Sequence, residues 1–241
     1  MTSSHTVNLE RPLDERGVRD MVAKAGQILY RVGLSEYLGH CSARSPQPGR
    51  IVVKPKHSPR IRGMNRLSGE HMVIIDLDGN LIEGEDRPPE EIYIHTEIYR
   101  ARPDVNAIVH THQTAATLMG IIDAPISPIL HLESTFVDAP VPNWPCPLLV
   151  TSPEMGADLA RTLGNGPYCH LQGHGIVSVA ADMPAAVVGA IMLEQLAQAN
   201  LAVLNSGREP RLITPDEIEK LKARKAPIAG RWAYLNTLLD E

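Results

Sequence analysis

The chain has 241 residues, enough to bury a substantial core, and its 43% hydrophobic and 21% charged content excludes a disordered or fibrous protein. A net charge of −5 leaves no basic excess to neutralise phosphates, so no nucleic-acid partner is expected. Cys41, Cys146 and Cys169 are odd in number and lack C-x-x-C spacing, which fits a reducing cytoplasm and indicates neither a disulfide framework nor a cysteine zinc site.

The N-terminus, MTSSHTVNLERPLDERG, is polar and has no apolar leader. No apolar run reads as long enough to cross a bilayer, so no membrane partner is expected either. Residues 14–32 place Val18, Met21, Val22, Ala25, Ile28 and Leu29 at helical spacing, with Gly33 as the stop. GHCSARSPQPGRIVVKP alternates short β-like runs with Pro and Gly, and MVIIDLDGNLIEG reads as a hairpin turning at Asp78-Gly79-Asn80. A helix is predicted from about Pro89 to Arg102, ended by Pro103. VNAIVHTH reads as a strand, QTAATLMG as a short helix and PISPILHLE as another strand. Thr151-Ser152-Pro153-Glu154 caps a helix through MGADLARTLG, and HGIVSVA is a strand. Met183 to Asn205 is a long helix, apolar on most sides and so buried or at a subunit contact. Thr214-Pro215-Asp216-Glu217 caps a charged helix, followed by the tail RWAYLNTLLDE. Strands and helices mix throughout without a repeat or long linker, so the expectation is one α/β domain over residues 1–241.

Ten histidines against a single phenylalanine raise the prospect of a metal site or acid–base chemistry. In VHTHQT, strand alternation points His110 and His112 to one face and Thr111 to the other. Two imidazoles so placed can reach one divalent ion at the nitrogen distance of about 2.0–2.1 Å that zinc prefers. His174, in LQGHGIV, lies between Gly173 and Gly175, which leave room for close backbone approach, and is the candidate third ligand, the alternative being that the H-x-H pair is two satisfied polar side chains at a sheet edge. Three histidines with a position left open is the arrangement of a catalytic ion. Upstream, Glu91 and His95 stand four apart on one helix face. On the residues alone, Glu90 and Glu91 read as charges favouring a helix N-terminus.

The run from Glu91 through EIYIHTEIYRARPDVNAIVHTHQTAATLMG, together with Gly173-His174-Gly175, resembles the class II aldolase/adducin family over roughly residues 15–205. In that family a glutamate precedes an H-x-H pair by nineteen residues, the interval from Glu91 to His110, and an N-H-G segment carries the third metal histidine. The resemblance implies an α/β/α sandwich around a mainly antiparallel sheet, with a C-terminal helix and tail over 206–241. It also implies a divalent metal ion (zinc, manganese, iron or cobalt) on His110, His112 and His174, and a homotetramer with sites between subunits. Glu91 becomes a ligand or an acid–base group, with His95 as a second candidate acid.

The departures are informative. Sugar-phosphate aldolases of the family hold phosphate with G-N-x-S, T-P-S-G and P-S-S-E segments, which here read Gly39-His40-Cys41-Ser42, Lys54-Pro55-Lys56-His57-Ser58 and Pro88-Pro89-Glu90-Glu91. Hydroxyl donors are lost, and Glu90 would repel a phosphate dianion. Lys54, Lys56, His57, Arg60 and Arg62 crowd into nine residues, where a cation can hold a carboxylate, and Ser42 is retained as a further substrate contact. With HLQGHG and NWPCPLLVT, this resembles the decarboxylase branch, which acts on hydroxylated aromatic dicarboxylates such as 3,4-dihydroxyphthalate or a pyridine dicarboxylate. The expected activity is thus a metal-dependent carboxy-lyase of aromatic catabolism, with an aldolase for sugars or hydroxy-keto acids as the alternative and a silent adducin-like interaction protein as a third reading. His40, His71, His131 and His170 carry no assigned role. Trp232 and Tyr234 can pack the tail or stack on a ring substrate.

Overall fold

The computed structural model describes residues 14–137, 139–224 and 228–240. Helix α1, Glu15–Arg31, buries Val18, Met21, Val22, Ala25, Ile28 and Leu29, the stripe the spacing predicts, and the Asp14 carboxylate caps it by accepting from the Gly17 N–H at 2.8 Å. Four strands follow: β1 His40–Arg44, β2 Arg50–Val53, β3 Val73–Asp76 and β4 Leu81–Glu83. The β3–β4 turn uses Gly79 at φ +85°, and the Asp76 carboxylate accepts from the Asp78 and Asn80 N–H groups. Next come α2 Ile92–Ala101, β5 Ala107–Thr111, α3 Thr114–Ile121, β6 Asn143–Trp144, α4 Pro153–Leu163, β7 Tyr168–Leu171 and β8 Gly175–Ala180. The chain closes with α5 Met183–Asn205, α6 Pro215–Lys222 and α7 Ile228–Thr237.

The eight strands form one sheet in the order β4-β3-β2-β1-β5-β8-β7-β6, antiparallel except for the β6–β7 pair. Alternation sorts the residues of each strand between two apolar layers. Cys41, Ala43, Ala107 and Val109 pack with α1, α3 and α5, whereas Ile51, Val53, Ile108 and Val177 pack with α2 and α4. This is the α/β/α sandwich expected. His110 shares the face of Ile108, so the first imidazole of VHTHQT is turned toward the α2 and α4 side.

Two expectations are corrected, and the tail gains a structure. PISPILHLE is not a strand: it is irregular backbone ending in a short 3-10 turn at Glu133–Thr135. Pro125 and Pro128 lack the N–H groups a ladder needs, and Ser127 is paired instead by a side chain of α5, its N–H donating to Asn200 Oδ1 at 2.9 Å and its carbonyl accepting from Asn200 Nδ2 at 3.0 Å. Asn200→Ala should strip both partners and cost about 2 kcal/mol, read as a lowered urea midpoint with unchanged slope. The tail RWAYLNTLLDE is mostly helical, because α7 folds back on α5 and buries Trp232 in the α1/α5 layer, away from the histidines. Finally, α5 is long and apolar enough by composition to cross a membrane, contrary to the sequence reading. Some 61% of that window is buried inside the fold, which marks a core helix.

Candidate metal centre

Glu91 opens α2 without capping it. Its Oε1 accepts the N–H of Val150 at 3.0 Å, just before α4, and its Oε2 faces three imidazoles, 3.5 Å from His174 Nε2, 3.7 Å from His110 Nε2 and 3.9 Å from His40 Nε2. The electrostatic role at a helix terminus therefore does not exhaust Glu91. Its side chain is spent on the histidine cluster. Burial alone would raise its pKa, but the imidazoles gathered around its Oε2, those of His174 and His40 foremost, outweigh that and hold the carboxyl well below the usual range.

His110 is fully buried on β5, opposite Val177 on β8 and His40 on β1. Its Nδ1–H donates to the Ile176 carbonyl at 2.9 Å, which leaves Nε2 as a bare lone pair. That Nε2 lies 3.0 Å from His112 Nε2. His174 sits in the β7–β8 turn, reached through Gly173 at φ +64°. A Cβ on Gly175 would meet the Thr111 carbonyl oxygen at 2.4 Å and His112 Cδ2 at 3.1 Å, so only glycine lets this turn close on the H-x-H segment. From the other face, α5 holds the same segment. Gln113 Nε2 donates to the Ala190 carbonyl, and the buried Glu194 carboxylate accepts the Ala115 and Ala116 N–H groups at 2.9 and 3.0 Å.

One ligand atom from each of Glu91, His110, His112 and His174 lies within 4.8 Å of all the others. Burial pulls His110 far below the ordinary imidazole pKa and His112 to about 4, so both rings are neutral, the form in which an imidazole can ligate. Both ring nitrogens of His174 are buried without a hydrogen bond among the described residues. An unsatisfied buried imidazole is costly, and a cation between these four groups would relieve it. The residues fit a divalent ion, with Nε2 of His110 oriented for it by Ile176.

The remaining predicted residues separate. Lys54, Lys56 and His57 line the cleft that leads to Glu91, His112 and His40, together with Tyr37, Leu38 and Leu149. Lys54 is buried, and desolvation lowers its pKa. Lys56 pairs with Glu90, and the His57 ring packs at a tilt against Tyr37, with centroids 4.8 Å apart. Arg60 does not line this cleft, since its guanidinium pairs with Glu85 at 3.1 Å and Asp86 at 3.2 Å. Arg62 is exposed outside the cleft lining. Ser42 and His95 are both fully buried and lie behind the cleft rather than in it: His95 Nδ1 is 2.6 Å from Ser42 Oγ, and its Nε2 is 2.7 Å from His40 Nδ1. Four residues along α2 from Glu91, His95 is one turn deeper, and β1 covers it. His40 stands in front, and the sequence reading passed over it. The signal was available, for His40 and Ser42 alternate on one strand face as His110 and His112 do.

Residues 20–201 match the sequence model of the class II aldolase and adducin N-terminal domain. The chain belongs to the class II aldolase/adducin family. It is 34% identical over 206 residues to 3,4-dihydroxyphthalate decarboxylase of Arthrobacter keyseri, an alignment covering 81% of this chain and 82% of that one. With the enzyme of the same name from Rhodococcus jostii it shares 30% identity over 204 residues, 80% of this chain and 83% of the other. Among solved structures, an L-fuculose 1-phosphate aldolase superposes with TM-score 0.74 at 23% identity over 86% of this chain and 95% of its own. An aldolase II superfamily protein from Pseudomonas syringae reaches 0.81 at 20% identity over 96% and 95%. At these identities the structural likenesses speak for the fold.

Proposed function

We propose that the protein is a divalent-metal carboxy-lyase that removes CO2 from a hydroxylated aromatic dicarboxylate of the 3,4-dihydroxyphthalate kind. The observation that carries the reading is the cleft itself, which joins the histidine–glutamate cluster to the buried Lys54, in a segment that replaces the T-P-S-G of the family's sugar-phosphate aldolases. Relatives at 34% and 30% identity that bear the name of such a decarboxylase support it.

His110, His112 and His174 would hold the ion, which, when bound, supplies Lewis-acid stabilisation of the negative charge that develops on oxygen as the C–C bond breaks. Lys54 binds the spectator carboxylate, and that contact offsets the desolvation of its own ammonium. Glu91, an anion held by the Val150 N–H, takes a phenolic proton from the substrate through Oε2. It then delivers that proton to the ring carbon bearing the carboxylate. CO2 departs from the resulting keto acid, its bonding electrons return to the ring and restore the aromatic system, and one proton from solvent completes the product. Tyr37, Leu38 and Leu149 at the cleft rim give a flat ring apolar contact.

The metal-loaded protein should release CO2 from 3,4-dihydroxyphthalate and no aldehyde from fuculose 1-phosphate. Aldehyde release without CO2 would instead favour the aldolase alternative, and a chain that takes up no metal by elemental analysis would favour the silent adducin-like one. The family resemblance also carries the proposal of a homotetramer, which light scattering of the purified chain would test.

A further inference from the structure

Behind the cleft, the hydrogen bonds form a single file: Tyr99 Oη to Ser42 Oγ at 2.9 Å, Ser42 Oγ to His95 Nδ1 at 2.6 Å, and His95 Nε2 to His40 Nδ1 at 2.7 Å. Every member is buried, so every hydrogen in the file needs an acceptor. Either direction leaves one hydrogen over, and the two differ in where it lies. If Tyr99 donates to Ser42, Ser42 to His95 and His95 to His40, the hydrogen left over is the one on Nε2 of His40, which lines the cleft and can be met there. If the file runs the other way, the phenolic hydrogen of Tyr99 has no acceptor among the described hydrogen bonds, and a bare His40 Nε2 faces the Glu91 carboxylate. Tyr99 suits the donor end: the Arg44 guanidinium lies over its ring at 4.7 Å, and burial raises the phenol's pKa so that it keeps its proton.

We infer that His40 is a substrate-binding residue, a fixed Nε2–H donor that holds a carboxylate oxygen of the substrate, with His95, Ser42 and Tyr99 as the positioning residues that set its tautomer. His40 lines the cleft beside Lys54, and at 3.9 Å from Glu91 Oε2 its N–H is too far from that oxygen to be spent on it. Either protonation state of His40 leaves Nε2–H in place, so the role does not depend on its titration. This deepens the decarboxylase reading and rests on it for the identity of the oxygen. It also gives Ser42 a role without contact with the cleft, through its bond to His95.

Two readouts on the zinc-loaded full chain test the inference. Long-range proton–nitrogen spectra of protein labelled with 15N in its histidines should find His40 protonated on Nε2 with Nδ1 bare. Ser42→Ala, which leaves His95 Nδ1 without a donor, should give a mixture of both His40 tautomers. A wild-type His40 protonated on Nδ1 alone overturns the donor. Calorimetry with phthalate, an unreactive dicarboxylate, provides the second readout. His40→Ala should weaken binding about ten- to a hundredfold with zinc content unchanged, because a charged hydrogen bond is lost. His40→Gln, whose amide can reach the place of Nε2, should recover most of it. Equal phthalate affinity in wild type and both variants overturns the carboxylate role. A chain that binds phthalate through His40 yet releases no CO2 removes the decarboxylase reading alone and leaves the subsite standing.

Discussion

His110→Ala is expected to empty the centre of metal and to lower the rate of CO2 release by more than about 10³-fold, the scale of losing a principal electrostatic stabiliser. His110 is the most constrained of the candidate ligands. It is fully buried, its Nδ1–H is committed to the Ile176 carbonyl, and its Nε2 lies 3.0 Å from His112 Nε2 and 3.7 Å from Glu91 Oε2. Changes to groups that merely orient a ligand cost roughly 10–100-fold in metal affinity, so loss of the ligand itself should exceed that. Alanine also strands the Ile176 carbonyl and opens a cavity, which together cost about 2–4 kcal/mol of stability. His112→Ala separates the two effects, since His112 is half-buried and lies just past the end of β5, so metal should be lost while the unfolding midpoint of the metal-free protein changes little. Elemental analysis beside thermal unfolding reads both variants. Metal content and rate surviving in both would show that the imidazoles are not the ligands.

The sequence disclosed that histidine cluster because strand alternation is a local rule. Two histidines separated by one residue share a face whatever the rest of the fold does, and His174 between glycines signalled a close approach that the Gly175–Thr111 contact accounts for. Helices with strong caps were equally legible, for Ser152 and Thr214 each accept the N–H that their patterns promise. What stayed hidden was settled by distant partners. Asn200 takes Ser127 out of any ladder across 73 positions of sequence, and no local pattern foretells that. The two-residue β6 is too short to carry a periodicity. The basic run KPKHSPRIRG reads as one cluster, yet Lys54 faces the cleft while Arg60 is drawn aside by Glu85 and Asp86. Helical spacing correctly put Glu91 and His95 on one side of α2. Depth then divided their tasks, because β1 brings His40 in front of His95.

That division makes Glu91→Gln the sharpest test of the chemistry. Glutamine keeps a carbonyl oxygen for the Val150 N–H, so the start of α2 and its junction with α4 should hold. It cannot carry a proton between a phenolic oxygen and a ring carbon. If Glu91 is the proton carrier, kcat should fall by about 10²–10⁴-fold while KM and bound metal stay near their original values. A parallel loss of metal would place Glu91 among the ligands, where its Oε2, 3.5 Å from His174 Nε2, also fits. The two roles are separable by deuterium as well. A phenolic proton exchanges with solvent before turnover, so in heavy water the particle carried is a deuteron, and a carrier Glu91 should give the wild type a solvent isotope effect on kcat that Glu91→Gln loses. An unchanged rate in the variant would exclude Glu91 from the proton's path.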